Sequence, residues 1–235
     1  MQIQYNSKTI EFQVEYRDRK TFEIRIIPPD KIRVRVPKKA TEEEILKIVK
    51  SKGKWINQKL FELEDFNYRE VTKEYVNGES FMYLGRNYSL QTVENSHMKK
   101  PAVKLYQGKF HIETNTRDQE ILRQAMESWY REKTLGNINE KVKYFKPYIK
   151  KEPKSIRVKE QKKRWGSCND QGDLMFNWRI SMGPSDVLAY IVVHEMCHLI
   201  HFNHSRDFWN LLESIMPDYR DKKEWLKING IRMDL

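Results

Sequence analysis

Three residues carry the most specific chemistry in the chain. His194, Glu195 and His198 are spaced as H-E-x-x-H within residues 192–209, VVHEMCHLIHFNHSRDFW. Residues four apart share one face of a helix, so both imidazoles can reach a single metal ion. Glu195 is rotated about 100° from His194 at 3.6 residues per turn, which sets its carboxylate beside the water such an ion activates rather than among the ligands. Two neutral imidazoles and a proton-accepting carboxylate are the parts of a zinc hydrolase. Catalytic zinc takes a third protein ligand and keeps a fourth position open. His204, six residues past His198, can supply the third ligand if the chain turns after residues 199–202. Asn203 is expected to make that turn in the left-handed conformation, and Ser205 to cap a new helix from Arg206 or Asp207. His201 and Glu213 are the rival third ligands. A tetrahedral ion needs a donor from another direction, which favours His204 over a His201 that stays on the same helix. Asp207 is either a partner that orients a ligand imidazole or a first-turn acid favoured by the helix dipole.

The elements that must position these residues can also be read. Val187, Leu188, Ala189, Ile191, Val192, Val193, Met196, Leu199 and Ile200 make the H-E-x-x-H helix apolar nearly all round, so it is expected to be buried. A buried glutamate between two histidines is costly unless it serves a purpose. Gly183-Pro184 opens this helix, with Pro expected at the first helical position. Just upstream, residues 161–178 read as two strand arms around a turn at 169–172. An exposed strand beside a metal can take an extended substrate by adding it to the sheet edge. Arg164, Trp165, Gly166 and Ser167 are the candidate substrate-binding rim, glycine allowing close backbone approach and tryptophan giving an apolar contact. The competing reading is a plain hairpin that packs Trp165 and Trp178 into the core. Tyr190, Arg164 and His201 are the candidates for stabilising an oxyanion.

Residues 1–37 alternate in polarity, as in Phe22-Glu23-Ile24-Arg25-Ile26 and Ile32-Arg33-Val34-Arg35-Val36, and predict half-buried strands turned by Pro28-Pro29-Asp30. The row Lys31, Arg33, Arg35, Lys38 and Lys39 reads as a solvated strand face, with phosphate binding the minority reading. A capping box at residues 41–44 opens one amphipathic helix to about Asp65, weakened by Gly53, with Trp55 in its core stripe. Residues 66–74 read as a linker. Short strands punctuated by turns follow, and the first half is mostly antiparallel sheet. A second capping box is read at residues 116–119, then a helix interrupted near Gly136, another over residues 137–145, and Pro147 and Pro153 at the exit. Helices close the chain, broken at Met216-Pro217-Asp218. The domain organisation is therefore a β-rich N-terminal region with one long helix, residues 1–115, and a catalytic domain, residues 116–235.

Composition bounds the function classes. The 235 residues include 6 Trp, 12 Tyr and 10 Phe, enough for a sizeable core. The net charge of +11 comes from 44 basic and 33 acidic residues and leaves polyanions, including nucleic acid, open as partners, with Lys162-Lys163-Arg164 the densest cluster. No nucleic-acid-binding motif is present. Two cysteines, Cys168 and Cys197, make no disulfide framework. The chain has no apolar signal core at its start and no run long enough for a membrane span, so a cytoplasmic location is expected.

Arg164-Trp165-Gly166-Ser167-Cys168, Asn177, Val192-Val193-His194-Glu195-Met196-Cys197-His198, Asn203-His204-Ser205 and Phe208-Trp209 together resemble the YgjP-like family of zinc metallopeptidases. The resemblance spans most of the chain and is strongest from Gln161 to Trp225. It implies an α+β, zincin-like metallopeptidase domain that binds one Zn2+ through His194, His198 and His204, uses Glu195 as general base, and acts on protein or peptide substrates. The family is similar to SprT-like and WLM peptidases, some of which act on DNA-bound proteins; that analogy alone does not establish DNA binding. The H-E-x-x-H-x5-H spacing also matches metzincins, but His201 stands where they carry glycine. A nucleic-acid-associated zinc protein and a zinc module without catalysis are the alternatives to a peptidase.

Overall fold

Alternating strand sequences and apolar helix stripes set the architecture seen in the computed structural model, which describes residues 1–5, 8–27, 30–65, 72–161 and 164–235. The chain forms two compact units, Met1–Glu70 and Val71–Leu235. The Pro28-Pro29 turn, most of the expected linker and Lys162-Lys163 fall outside the described residues.

The first unit begins with a hairpin, β1 (Gln2–Tyr5) and β2 (Lys8–Glu11). The three strands β3 (Gln13–Arg17), β4 (Glu23–Ile27) and β5 (Lys31–Pro37) form a sheet in the order β3-β5-β4, parallel between β3 and β5 and antiparallel between β4 and β5. The alternation in β5 buries Ile32, Val34 and Val36. The basic row on the opposite face is partly neutralised. Arg33 lies 3.0 Å and Arg35 3.1 Å from the Glu15 carboxylate, which these arginines hold below the usual carboxylate range. The expected single helix is two: α1 (Glu42–Ser51) and α2 (Gly53–Asp65). The capping box forms as expected, Thr41 Oγ1 accepting from the Glu44 amide and Glu44 accepting from the Thr41 amide. At Gly53 the Tyr5 ring occupies the place of a side chain, 2.1 Å from where a Cβ would lie. Ile45, Val49 and Ile56 lie on one face at helical spacing and are buried, while Trp55 falls off that face and is 41% exposed.

The second unit starts with β6 (Ser80–Tyr83), β7 (Arg86–Glu94), β8 (Ala102–Tyr106) and β9 (Lys109–Thr114), in the order β6-β7-β9-β8. Only the β7–β9 pair is parallel. Then comes α3 (Gln119–Ile149), a single helix where two were expected. Its cap is Asp118, whose carboxylate accepts from the Glu120 and Ile121 amides at 2.9 and 3.1 Å, rather than the Thr116 box; Thr116 instead receives the Asp118 amide. Gly136 does not interrupt α3, because Trp129, Tyr130, Thr134, Ile138, Val142, Phe145 and Ile149 continue one buried stripe across it. Pro147 sits in the last turn, and the helix ends at Lys150, in the left-handed conformation with φ 54°.

Phe81, Leu90, Phe110 and Ile112 of the four-stranded sheet share one core with Trp129, Tyr130 and Trp178. For that reason the compact units meet at 70/71, and not at the 115/116 boundary that the change from strand to helix patterns suggests. A second small sheet, β10 (Ser155–Lys159), β11 (Gly166–Cys168) and β12 (Asp173–Asn177), has the order β10-β12-β11. Its β11–β12 hairpin turns at 169–172 as expected, with Gly172 at φ 83°. A 3-10 turn, Trp178–Met182, leads to α4 (Ser185–Cys197), then α5 (Arg206–Ile215) and α6 (Tyr219–Asn229). Pro184 is the residue before α4 rather than its first helical residue. The result is an α+β fold, as expected.

Candidate metal centre

The site is built on α4, whose residues from Val187 to Val193 are all buried against α3, α5 and α6. Apolar surface on every side of this helix fixes the orientation of its few ionisable groups. His194 and His198 project from one face, with ring centroids 5.1 Å apart. The helix ends at Cys197, and the His201 amide donates to the Cys197 carbonyl at 3.0 Å, closing a turn. Lys151 Nζ donates to the Leu199 carbonyl and ties that turn to the end of α3. Asn203 contributes differently from expectation. It does not adopt the left-handed conformation; its side-chain oxygen accepts the Ser205 amide at 3.2 Å. Ser205 caps α5 through the Phe208 amide, as expected.

This turn returns His204 to the helix. His204 Nε2 lies 3.0 Å from His194 Nε2, and the ring centroids of His198 and His204 are 4.7 Å apart. The ligating atoms of His194, His198 and His204 all fall within 4.8 Å of one another. Among the described residues His201 and Glu213 stand outside this group. His201 serves through its backbone, its carbonyl lying 2.9 Å from His198 Nδ1 and so orienting that ring to offer Nε2. Glu213 is bonded to Arg220 at 2.6 Å. Asp207 is exposed in the first turn of α5 and makes no hydrogen bond to an imidazole among the described residues.

The donor set suits a divalent transition metal. Two nitrogens about 2.0 Å from one tetrahedral ion lie about 3.3 Å apart, close to the 3.0 Å observed between His194 and His204. Burial lowers the pKa of His194 to about 3, helped by the positive potential of His198, His204 and Lys223, so its lone pair stays available. Burial likewise lowers His204. Among the described residues His194 Nδ1 is buried without a partner.

Glu195 is 6% exposed, and burial raises its pKa to about 8, opposed by the charge of Arg164. Its neighbour is β11. A Cβ on Gly166 would stand 2.6 Å from Glu195 Cγ and 2.7 Å from Oε1, so only glycine allows strand and carboxylate to meet this closely. Asn177, buried at the end of β12, holds the approach to β11: its amide donates to the Trp165 carbonyl, and its side-chain nitrogen to the Gln161 carbonyl at 2.9 Å. Sequence reasoning gave Asn177 no such role, since a lone asparagine before a turn has no distinctive spacing. Of the remaining rim residues, Arg164 is exposed, Trp165 packs against Gly230, and Ser167 pairs with Met175. Trp178 is fully buried, so the two tryptophans have different fates. Tyr190 is buried one turn before His194, and its hydroxyl pKa is raised to about 12 by burial and by the Glu195 charge. Both cysteines are free, and burial raises Cys197 to about 12 and Cys168 to about 11.

Three imidazoles that converge, two from an H-E-x-x-H segment and one from the turn after it, are the ligand pattern of metal-dependent hydrolases. The chain belongs to the YgjP-like metallopeptidase domain family, whose model matches residues 20–229. It is therefore a metallopeptidase, and protein or peptide is its substrate class. The chain is also similar to a solved structure, the metallopeptidase zymogen of Pyrococcus abyssi abylysin, at 17% identity and a TM-score of 0.36, over 38% of this chain and 90% of that one. No curated protein matches. Among the described residues no helix is long and apolar enough to cross a membrane.

Proposed function

We propose that this metallopeptidase holds one Zn2+ through His194, His198 and His204 and hydrolyses peptide bonds with Glu195 as general base and then general acid. The observation that carries this reading is the convergence of the three imidazoles, with the buried Glu195 next to His194 in the chain. When bound, the ion supplies Lewis-acid stabilisation of the developing oxyanion and acidifies water. Glu195 takes a proton from the attacking water and delivers it to the leaving amine. Its raised pKa suits that exchange, because the group can hold a proton near neutral pH. A cation at the imidazoles favours the charged, proton-accepting form at the start of the cycle.

In this reading the edge strand β11 binds substrate. Among the described residues it pairs within its sheet only with β12, leaving its other edge to accept an extended peptide by strand addition. Gly166 brings that strand against Glu195, and Arg164, whose charge reaches the carboxylate, is the exposed cation for the oxyanion. Trp165, just before the strand, packs against Gly230.

The test is metal analysis of the purified protein and of His204→Ala. The wild type should carry one zinc per chain, and the variant should bind it far more weakly while keeping its fold. Absence of stoichiometric zinc with all three histidines intact would refute the proposal.

A further inference from the structure

The three candidate ligands are held by different means. His194 is fixed by the buried helix that carries it, and His198 by the His201 carbonyl. His204 projects from an exposed turn, and among the described residues no hydrogen bond orients its Nδ1. What covers it is aromatic. The Trp209 ring stacks on His204 with centroids 5.4 Å apart and planes 23° apart, and Phe208 meets it edge-on at 4.8 Å. Trp209 is itself braced: it stacks on Tyr219 at 5.5 Å and 22°, and Lys223 Nζ stands 4.8 Å from its ring centroid.

We infer that Trp209 is the positioning residue for His204, its indole doing by stacking what a hydrogen bond does for His198. A stacked partner restricts the tilt of an imidazole while leaving the nitrogens in the ring plane free to bind a cation. Holding the ring in advance also removes part of the ordering cost that an exposed side chain meets on binding. The column Tyr219–Trp209–His204 thus links α6 through α5 to the third ligand. The inference rests on the reading of His204 as a ligand.

Four variants separate the two claims: His204→Ala, Trp209→Leu, Trp209→Phe and Tyr219→Leu. For each, Zn2+ affinity is measured by competition with a chromogenic chelator, visible absorption is recorded with Co2+ alone, and the fold is followed by thermal melting of the metal-free protein. Trp209→Leu should weaken Zn2+ binding by about tenfold to 100-fold, the usual effect of losing a group that orients a ligand. It should also shift the Co2+ spectrum toward that of His204→Ala. Trp209→Phe, which keeps a ring for stacking, should restore most of the affinity; a role in packing alone would not separate Phe from Leu. If Trp209→Leu does not fold, Tyr219→Leu, which removes the brace, should show a smaller loss in the same direction. Wild-type affinity and spectrum in Trp209→Leu, equal loss in Phe and Leu, or unchanged affinity in Tyr219→Leu when that variant must decide would overturn the inference. If His204→Ala itself binds Zn2+ as the wild type does, it is the ligand assignment that fails.

Discussion

At the scale of single residues, the proposed mechanism turns on two features around Glu195. The first is Gly166 against Glu195. A methyl group at residue 166 cannot fit 2.6 Å from Glu195 Cγ, so strand or carboxylate must move. Gly166→Ala should lower peptidase activity by about 100-fold, the size of effect that a 1 Å displacement of a reacting group produces, with zinc content unchanged. Full activity in that variant would show that the contact does not position the base. The second is the buried Glu195 carboxyl. Its folded pKa, raised to about 8, lies above its ordinary value of 4.5. Its contribution to stability is thus fully present below pH 4.5 and is lost as the pH rises through 8. His194 has the opposite sign: its pKa is lowered to about 3, so its contribution is present above pH 6.5 and is lost as the pH falls toward 3. The two effects oppose each other between pH 4.5 and 6.5. In Glu195→Gln only the first is removed. Urea unfolding of the metal-free proteins at pH 5 and pH 8 should show the wild type losing about 3–4 kcal/mol relative to Glu195→Gln, since a tenfold change in proton affinity is worth about 1.4 kcal/mol. Parallel pH profiles would contradict the burial argument.

At the scale of elements, α3 shows what a local reading of sequence leaves out. Gly136 and Pro147 both argue for breaks, yet the buried stripe from Leu122 to Ile149 holds one helix together through tertiary packing. Gly136 is exposed, and among the described residues nothing lies within 4 Å of a Cβ placed on it. Gly136→Ala should therefore stabilise the protein by about 0.5–1 kcal/mol through backbone entropy, read as a rise in Tm; a fall would mean that the glycine has a structural role. The H-E-x-x-H helix, the cap at Ser205 and the hairpin turn at 169–172 were legible because each rests on local rules of periodicity, capping or turn chemistry. The return of His204 was legible from the need for a third ligand, but the means was not. Asn203 folds the turn through its side chain, and Lys151, just past the end of α3, anchors it from far away in the chain. The break at Gly53 escaped for a similar reason, since the ring that fills that position belongs to Tyr5, far away in the chain.

At the scale of the whole molecule, every candidate site residue lies in the unit Val71–Leu235, together with the four-stranded sheet whose sequence pattern suggests a separate region. A β-rich stretch and a helical stretch look like two domains on paper, but Phe81, Phe110, Tyr130 and Trp178 share one core. The net charge of +11 is less informative than the site. Arg33 and Arg35, the centre of the basic row in the first unit, are paired with Glu15, which weakens the case for phosphate binding there. Hydrolysis at the histidine cluster is therefore the central claim. Its most direct test is cleavage of a denatured protein substrate by the zinc-loaded wild type and by zinc-loaded Glu195→Gln. Both should hold one zinc per chain, and the variant should cleave about 10²–10⁴-fold more slowly, the loss expected when a general base is removed. Equal cleavage by the two proteins would contradict the central claim.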